Sequence, residues 1–374
     1  MRILLIGNYV PDAQESMQRY ATMLQAGLTE AGHEVTLATP RRLLNRSARA
    51  AVGVWKWVGY FDKYVLSAPQ LSRAAQRADV VHVCDHANSI YVPKRSRVPY
   101  VVTCHDLLAV RGALGEDTDC ETGFAGRQLQ KWILSGLGRA TALACVSLAT
   151  WHDAKRLIGD YRGTLVIAPN ALSYPYRRLD PQAIVERLAA VPAVGNPGGY
   201  LLHVGSNLRR KNREGVLRTV SHVGARWRGR VVFAGQPLTS ELRQLAERLQ
   251  IADRIVEVSK PSDQLLEALY NGALALLFPS RFEGFGWPII EAQACGCPVI
   301  CTNREPLPEV AGDGALLCDV DDYSAFGNAI VQLADQSEWR DALRRRGLQN
   351  SLRYAKAQMI TRFESLYRQL AAAA

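Results

Sequence analysis

Short runs of consecutive apolar residues recur along the chain, separated by amphipathic stretches, and this alternation begins at the first residues. Ile3 to Ile6 reads as a strand. Glu15 to Ala31 reads as a helix, with Met17, Tyr20, Leu24 and Leu28 on one face. Gly32 ends it, and Glu34 to Ala38 is the next strand. Val80 to Val83, Tyr100 to Cys104, Ala142 to Val146 and Thr164 to Ala168 are further short strands, with helical stretches between them. The pattern lapses between Tyr174 and Gly199, where prolines and glycines gather. It resumes with Tyr200 to Val204, Val231 to Ala234, Ile255 to Val258, Ala273 to Phe278 and Val299 to Cys301. Strand–helix alternation of this kind predicts parallel, doubly wound sheets. It also divides the chain into a domain over 1–175, a linker over 176–198, a second domain over 199–351 and a last helix within 352–374.

A chain of 374 residues has room for two or three domains. Its 48% hydrophobic and 21% charged content is ordinary for a globular protein. No stretch is long and apolar enough for a transmembrane helix, and the apolar run after Arg2 is too short for a signal peptide. A cytoplasmic location is therefore expected. Eight cysteines in so long a chain fit reduced thiols better than a disulfide framework. The formal net charge of +10 is uneven. Between Arg41 and Arg77, eight basic residues (Arg41, Arg42, Arg46, Arg49, Lys56, Lys63, Arg73, Arg77) face one acid, Asp62. Trp55, Trp57, Tyr60, Phe61 and Tyr64 lie among them. The segment 41–77 suits either an interfacial helix on an anionic membrane or a solvated basic face with buried aromatics. Nucleic acid is not an expected partner, because no recognised binding module is present.

The densest chemistry lies in Pro279 to Ile300, PSRFEGFGWPIIEAQACGCPVI. Glu283 and Glu291 bracket a Gly284-Phe285-Gly286 loop and a short helix opened by Pro288. The preceding apolar run places them just past the C-terminal end of a buried strand, where open α/β sheets bind ligands. Glycine lets backbone approach a ligand closely, and free N–H groups at a helix start can hold a phosphate. A carboxylate accepts two hydrogen bonds at once and so suits vicinal hydroxyls. Two such acids around a phosphate site match a nucleotide sugar: hexose, diphosphate, ribose.

This segment resembles the E-x7-E signature of glycosyltransferase family 4, the retaining enzymes of the GT-B fold. The resemblance extends downstream through Pro308-Glu309-Val310, Gly312-Asp313-Gly314-Ala315 and Asp319 to Asp322. Upstream it takes in Leu269 to Ala273 and His203 to Asn212 (HVGSNLRRKN). In the first half it is carried by MRILLIG, Gly32 to Val35 and Thr103-Cys104-His105-Asp106. It implies two Rossmann-like domains facing across a cleft, with the acceptor on the first and the donor on the second. The last helix then crosses back to the first domain. It further implies that Glu283 binds the donor sugar's hydroxyls and Glu291 the ribose, with Gly284, Phe285, Gly286 and Trp287 alongside.

A departing nucleoside diphosphate needs cations as its bond breaks, and Arg209, Arg210 and Lys211 follow the strand ending at Val204. Lys211 matches the family lysine. The family arginine usually follows the Gly of VG, where this chain has Ser206, so Arg210 is favoured in its place. His105 and Asp106 close the strand Tyr100 to Cys104. A histidine there can hydrogen-bond a sugar hydroxyl or stabilise developing charge, and the family has one near the donor sugar. The first loop departs from the family: the usual glycine pair is missing after Gly7, and Asp12, Gln14 and Ser16 are candidates for the acceptor side instead, together with Asp106. Asn170 matches a structural Pro-Asn turn. His33, His82 and His86 receive no site role.

Two D-x-D strings, Asp117 to Asp119 and Asp319 to Asp321, and the trio Cys295, Cys297 and Cys301 are set aside as metal sites, so no metal and no cofactor beyond the nucleotide-sugar co-substrate is expected. The expected activity is retaining hexosyl transfer from a UDP- or GDP-sugar to a saccharide or lipid-linked acceptor. Bacterial surface polysaccharide or glycolipid assembly is the setting that family habit implies. The rivals are a non-hydrolysing nucleotide-sugar epimerase of GT-B shape and a non-catalytic nucleotide-sugar-binding protein.

Overall fold

The computed structural model describes residues 1–44 and 54–373. The side chains of Val54, Lys56 and Trp57 lie outside that description, as do Arg46 and Arg49 of the basic segment. The chain forms two units, Met1–Ser173 with Lys356–Ala374, and Tyr174–Ala355.

The first unit is built on six parallel strands: β1 (Arg2–Ile6), β2 (Glu34–Ala38), β3 (Val80–Val83), β4 (Tyr100–Cys104), β5 (Ala142–Cys145) and β6 (Thr164–Ile167). Their order is β2-β1-β3-β4-β5-β6. Central strands such as β3 and β4 are buried throughout, because helices cover both faces of a parallel sheet. That is why they read as continuous apolar runs. On one face Leu4, Ile6, Val81, Val83 and Val102 pack with Leu71 and Leu137. The order reverses direction between β1 and β3, and a crevice forms at the carboxyl ends of strands where this happens.

The second unit repeats the plan with β7 (Tyr200–Gly205), β8 (Arg230–Gly235), β9 (Ile255–Ser259), β10 (Ala275–Phe278), β11 (Val299–Thr302) and β12 (Ala315–Cys318). The order is β12-β11-β10-β7-β8-β9, so its switch point falls between β7 and β10. The edge strand β12 was not anticipated. The stretch 176–198, expected as linker, is part of this unit and holds the helix Pro181–Leu188. Asp180 caps that helix by accepting from the Ala183 N–H at 2.9 Å, and Arg187 pairs with the buried Glu267 at 2.6 Å.

The C-terminal helix Lys356–Ala372 belongs to the first unit. It buries Met359, Ile360, Phe363, Leu366, Tyr367 and Leu370. Gly27 makes room for it: a Cβ there would lie 2.5 Å from Ile360 Cδ1. His33 Nε2 meets Glu364 at 3.0 Å. The ring of His82, on β3, is hydrogen-bonded to the Tyr367 hydroxyl through Nδ1 and to Thr103 Oγ1, 2.7 Å away, through Nε2.

Burial lowers the His82 pKa to about 3, and burial followed by Arg213 does the same to His203 on β7. Each is neutral when folded but protonates near pH 6.5 when unfolded. The stability this difference supplies is present above about pH 6.5 and is lost as pH falls from there toward 3, with a slope of up to about 1.4 kcal/mol per pH unit for each ring. Urea unfolding at pH 7.5 and 5.5 should give a lower midpoint at 5.5, and an unchanged midpoint would contradict the assignment.

Candidate functional site

The chemistry expected from the sequence converges at the switch point of the second unit. After β7 the chain makes one 3-10 turn, Arg209–Lys211. Asn212 follows with left-handed backbone (φ 53°) and caps the helix Arg213–Val223 by accepting from the Gly215 N–H at 3.1 Å. After β10 the chain runs through Pro279 to Gly286. The two loops are stitched together: the Arg281 N–H donates to the Arg210 carbonyl at 2.7 Å, and Asn212 Nδ2 donates to the Pro279 carbonyl at 3.1 Å.

This stitching brings together three residues singled out in the sequence. Glu283 Oε1 accepts from Lys211 Nζ at 2.6 Å, and Glu283 Oε2 accepts from Arg210 Nη1 at 3.0 Å. Arg210 Nη1 also donates to the Phe282 carbonyl at 3.1 Å. The Glu283 side chain is 7% exposed, Lys211 14% and Arg210 21%. Burial alone would raise the Glu283 pKa, but Lys211 and then Arg210 outweigh it and hold the carboxyl below its usual range. The site is thus a carboxylate kept ionised by two cations that remain partly accessible. Such cations can also take an anionic ligand.

The helix Trp287–Ala294 starts from Gly286, whose φ of 103° suits glycine. A Cβ at Gly286 would lie 2.9 Å from Leu307 Cδ2. Pro288 sits at the second helical position rather than the first, still within the turn that has no N–H partners to lose. Glu291 lies on this helix, buried, and accepts from the Tyr270 hydroxyl at 2.8 Å. Burial, with the Glu291 carboxylate next, raises the Tyr270 phenol, so it stays a donor. Phe285 is buried against Tyr354 and Trp287, at ring separations of 5.6 and 6.0 Å. Its ring belongs to the packing, which leaves its backbone for a ligand. Arg209 is exposed on the same turn as Arg210.

The switch point of the first unit carries a second polar cluster. Asn8 follows β1, Asp85 and His86 follow β3, and His105 follows β4. Asn8 Nδ2 donates to Asp85 Oδ2 and to Gln14 Oε1, while Asn8 Oδ1 accepts from Asn88 at 3.2 Å. Asp85 Oδ1 accepts from the Ala87 N–H at 3.0 Å and lies 3.2 Å from His86 Nδ1. Burial pulls the Asp85 pKa up, but His86, His105 and Asn8 together bring it below its usual value.

His105 is buried, with its Nε2 3.0 Å from the Cys84 carbonyl. A carbonyl only accepts, so Nε2 carries the proton. Burial, partly opposed by Asp85, lowers the ring's pKa and keeps it neutral. Nδ1 is then an acceptor, which narrows the expected role from donating a hydrogen bond to receiving one. Asp106 Oδ1 accepts from the Leu108 N–H at 3.2 Å, a local turn contact. Of the acceptor-side candidates, Gln14 joins the cluster through Asn8, Ser16 is exposed at the start of the helix Glu15–Glu30, and Asp12 pairs with Lys63 at 2.6 Å.

That last pair revises the basic segment. Lys63 is buried, with its ammonium 5.2 Å from the Tyr64 ring centroid, and does not add to a surface patch. Asp62 is fully buried and accepts from the Tyr9 hydroxyl and the Leu43 and Leu44 N–H groups. Trp55, Phe61 and Val65 remain exposed, as do Arg41, Arg42, Arg73 and Arg77. Among the described residues no helix is long and apolar enough to cross a membrane, and no group of three or more His, Cys, Asp or Glu is placed to hold a metal ion.

Sequence reasoning passed over Asn8, Asp85, His86, Asn88 and Tyr270. Asp85 and His86 had a usable signal, since they close a strand just as His105 and Asp106 do. Tyr270 had none beyond its place in the family-like Leu269 to Ala273 string.

Comparison with known proteins is consistent with this geometry. The family described as "Glycosyl transferases group 1" matches residues 187–350, and "Glycosyltransferase Family 4" matches residues 17–173. The O-antigen chain mannosyltransferase B of Escherichia coli is 34% identical over 289 residues, spanning 76% of this chain and 74% of that protein. The N-acetyl-alpha-D-glucosaminyl L-malate synthase of Bacillus anthracis is 24% identical over 92% of both chains. Sucrose-phosphate synthase of Thermosynechococcus elongatus shares the fold with a TM-score of 0.78 at 20% identity, over 100% of both chains. The Anabaena protein HepE, solved with UDP and glucose, also has a TM-score of 0.78, at 13% identity over 99% of this chain and 100% of that one.

Proposed function

The chain belongs to glycosyltransferase family 4, and from that premise we propose that it is a retaining hexosyltransferase. In this reading it moves a sugar from a nucleoside-diphosphate donor to a saccharide or lipid-linked saccharide acceptor during polysaccharide assembly. The observation that carries it is the Glu283 carboxylate clasped by Lys211 and Arg210 at the switch point of the second unit. The donor binds there, and the acceptor binds on the first unit.

Each residue then has a physical task. Lys211 and Arg210, with Arg209 beside them, take the diphosphate and stabilise its charge as the glycosidic bond breaks. The amides of Gly284 to Trp287 add N–H groups toward the phosphates. Glu283, kept ionised by its cations, receives hydrogen bonds from the sugar hydroxyls, and Glu291 receives those of the ribose. His105 accepts a hydrogen bond near the transferred sugar. No residue here is required to form a covalent intermediate. Mannose is the hexose we favour, because the relative at 34% identity is a mannosyltransferase. GDP-mannose is therefore the first donor to test.

A ligand that binds only the folded state stabilises it by mass action, by about 2.7 kcal/mol at a hundredfold excess over Kd. Among GDP, UDP and ADP, one nucleoside diphosphate should raise the melting temperature well above the others. Equal failure of all three would remove the reading.

We place the first unit at the inner face of a membrane through the exposed Trp55, Phe61 and Val65 and the arginines Arg41, Arg42, Arg73 and Arg77. Each arginine near an anionic surface contributes on the order of 1 kcal/mol. The chain should sediment with vesicles rich in phosphatidylglycerol and be released by salt. Indifference to lipid charge would count against the placement.

A further inference from the structure

The helix Ala68–Ala75, the turn His86–Tyr91 and the helix Phe124–Leu137 lie over one face of the first sheet. They leave a cavity of about 190 Å³ between them. Ile6, Leu71 and Tyr100 line it and are buried, and Tyr64 and Tyr91 line it and are half-buried. Ser72, Pro93 and Trp132 also line it and are exposed, which puts the mouth beside them. The Tyr64 ring lies 5.7 Å from Trp132 and 6.4 Å from Tyr91, so the aromatic lining is continuous.

Two further observations concern polar groups. The segments that form the cavity, 64–78, 86–100 and 124–139, hold eight Arg and Lys and no Asp or Glu. Arg73 follows Ser72, Lys94 follows Pro93 and Lys131 precedes Trp132, so exposed cations stand within one residue of the mouth. Tyr100 is 5% exposed, and its hydroxyl has no hydrogen-bond partner among the described residues. Burial holds its phenol above the usual range, so it remains a donor.

Size, lining and charge narrow the ligand. An apolar cavity of roughly 150 Å³ holds one benzene, so this one takes a compact group and not a whole lipid chain. A hexose would leave most of its hydroxyls unpaired against Ile6 and Leu71, which is unfavourable. An apolar group with an anion close by suits the site better. Hydrocarbon meets the rings, a phosphate meets the cations at the mouth, and an oxygen receives the Tyr100 hydroxyl. A prenyl phosphate has that layout, because its phosphoester oxygen is one carbon from the first branched unit. Its branching and double bond also leave fewer rotors to freeze than a straight acyl chain has.

We propose that this cavity holds the phosphate-proximal isoprenoid unit of a polyprenyl phosphate or diphosphate, with Arg73, Lys94 and Lys131 around its phosphate. The proposal rests on the transferase reading, which supplies a lipid-linked acceptor, and it names the chemistry of that lipid.

The test is calorimetry on the full chain with geranyl phosphate, decyl phosphate and inorganic phosphate. Geranyl phosphate should bind at least about tenfold more tightly than either of the others. Ala68→Phe, on the cavity lining, should weaken geranyl phosphate at least about tenfold and leave nucleoside diphosphate affinity unchanged. Should that variant melt early, Ser72→Trp closes the exposed mouth and carries the test. Lys94→Glu combined with Lys131→Glu should weaken geranyl phosphate by a similar factor, and raised salt should act in the same direction. Trp132 emission should move to shorter wavelength as the ligand seals the mouth, a change absent from Trp132→Phe. Equal binding of decyl and geranyl phosphate would overturn the isoprenoid assignment. Geranyl phosphate that binds no better than inorganic phosphate, or binds the filled variants as well as the wild type, would overturn the site. Failure of the wild-type chain to take up any nucleoside diphosphate would instead remove the transferase reading, and the prenyl phosphate result would stand apart from it.

Discussion

Glu283→Gln should lower turnover at least about a hundredfold while the chain stays folded, an effect of roughly 3 kcal/mol on the transition state. The substitution removes one charge and keeps the shape. In the unliganded protein Glu283 balances Lys211 and Arg210 at 2.6 and 3.0 Å. Glutamine would free those cations, so nucleoside diphosphate binding should hold or strengthen. The loss should therefore fall on kcat and not on diphosphate affinity. Both loops retain the Arg281–Arg210 backbone bond and the Asn212–Pro279 bond, so the site should not collapse. Near-normal transfer by this variant, measured with radiolabelled donor, would remove the role assigned to Glu283.

Phe363→Ala should cost about 3–5 kcal/mol, a large share of a typical domain's 5–15 kcal/mol. Phe363 is fully buried, 4.9 Å from the His82 ring and stacked on Tyr367 at 5.9 Å. It holds the C-terminal helix against β3, and the helix in turn covers the neutral His82. All three residues belong to the first unit. Urea unfolding followed by hydrogen exchange should therefore show the first unit opening early, with protection in β7 to β11 nearly unchanged. Equal loss of protection in both units would contradict this division of stability.

How far the sequence could be read follows from what each element buries. Strands such as β4 and β10 are covered on both faces, so their apolar runs stood out. β12 is four residues at the edge of its sheet and only partly buried, too weak a run to register. The helix Pro181–Leu188 had a local signal, Asp180 before Pro181, that the surrounding prolines and glycines obscured. At the site, Glu283, Arg210 and Lys211 were legible because strand ends and glycines mark loops that approach ligands. Their mutual ion pairs were not legible, since they join positions more than seventy residues apart. Lys63 misled for a related reason. Its charge counted toward a surface patch until the fold set it against Asp12, fifty-one residues away.

The central claim is that Glu283 and Glu291 hold opposite ends of one nucleotide sugar. Calorimetric titration of the wild type, Glu283→Gln and Glu291→Gln with both the nucleoside diphosphate and the nucleotide sugar addresses it most directly. Glu291→Gln should weaken both ligands by a similar factor, because both contain the ribose. Glu283→Gln should abolish only the added affinity contributed by the hexose. Equal losses from the two variants on both ligands, or no loss from either, would contradict the account.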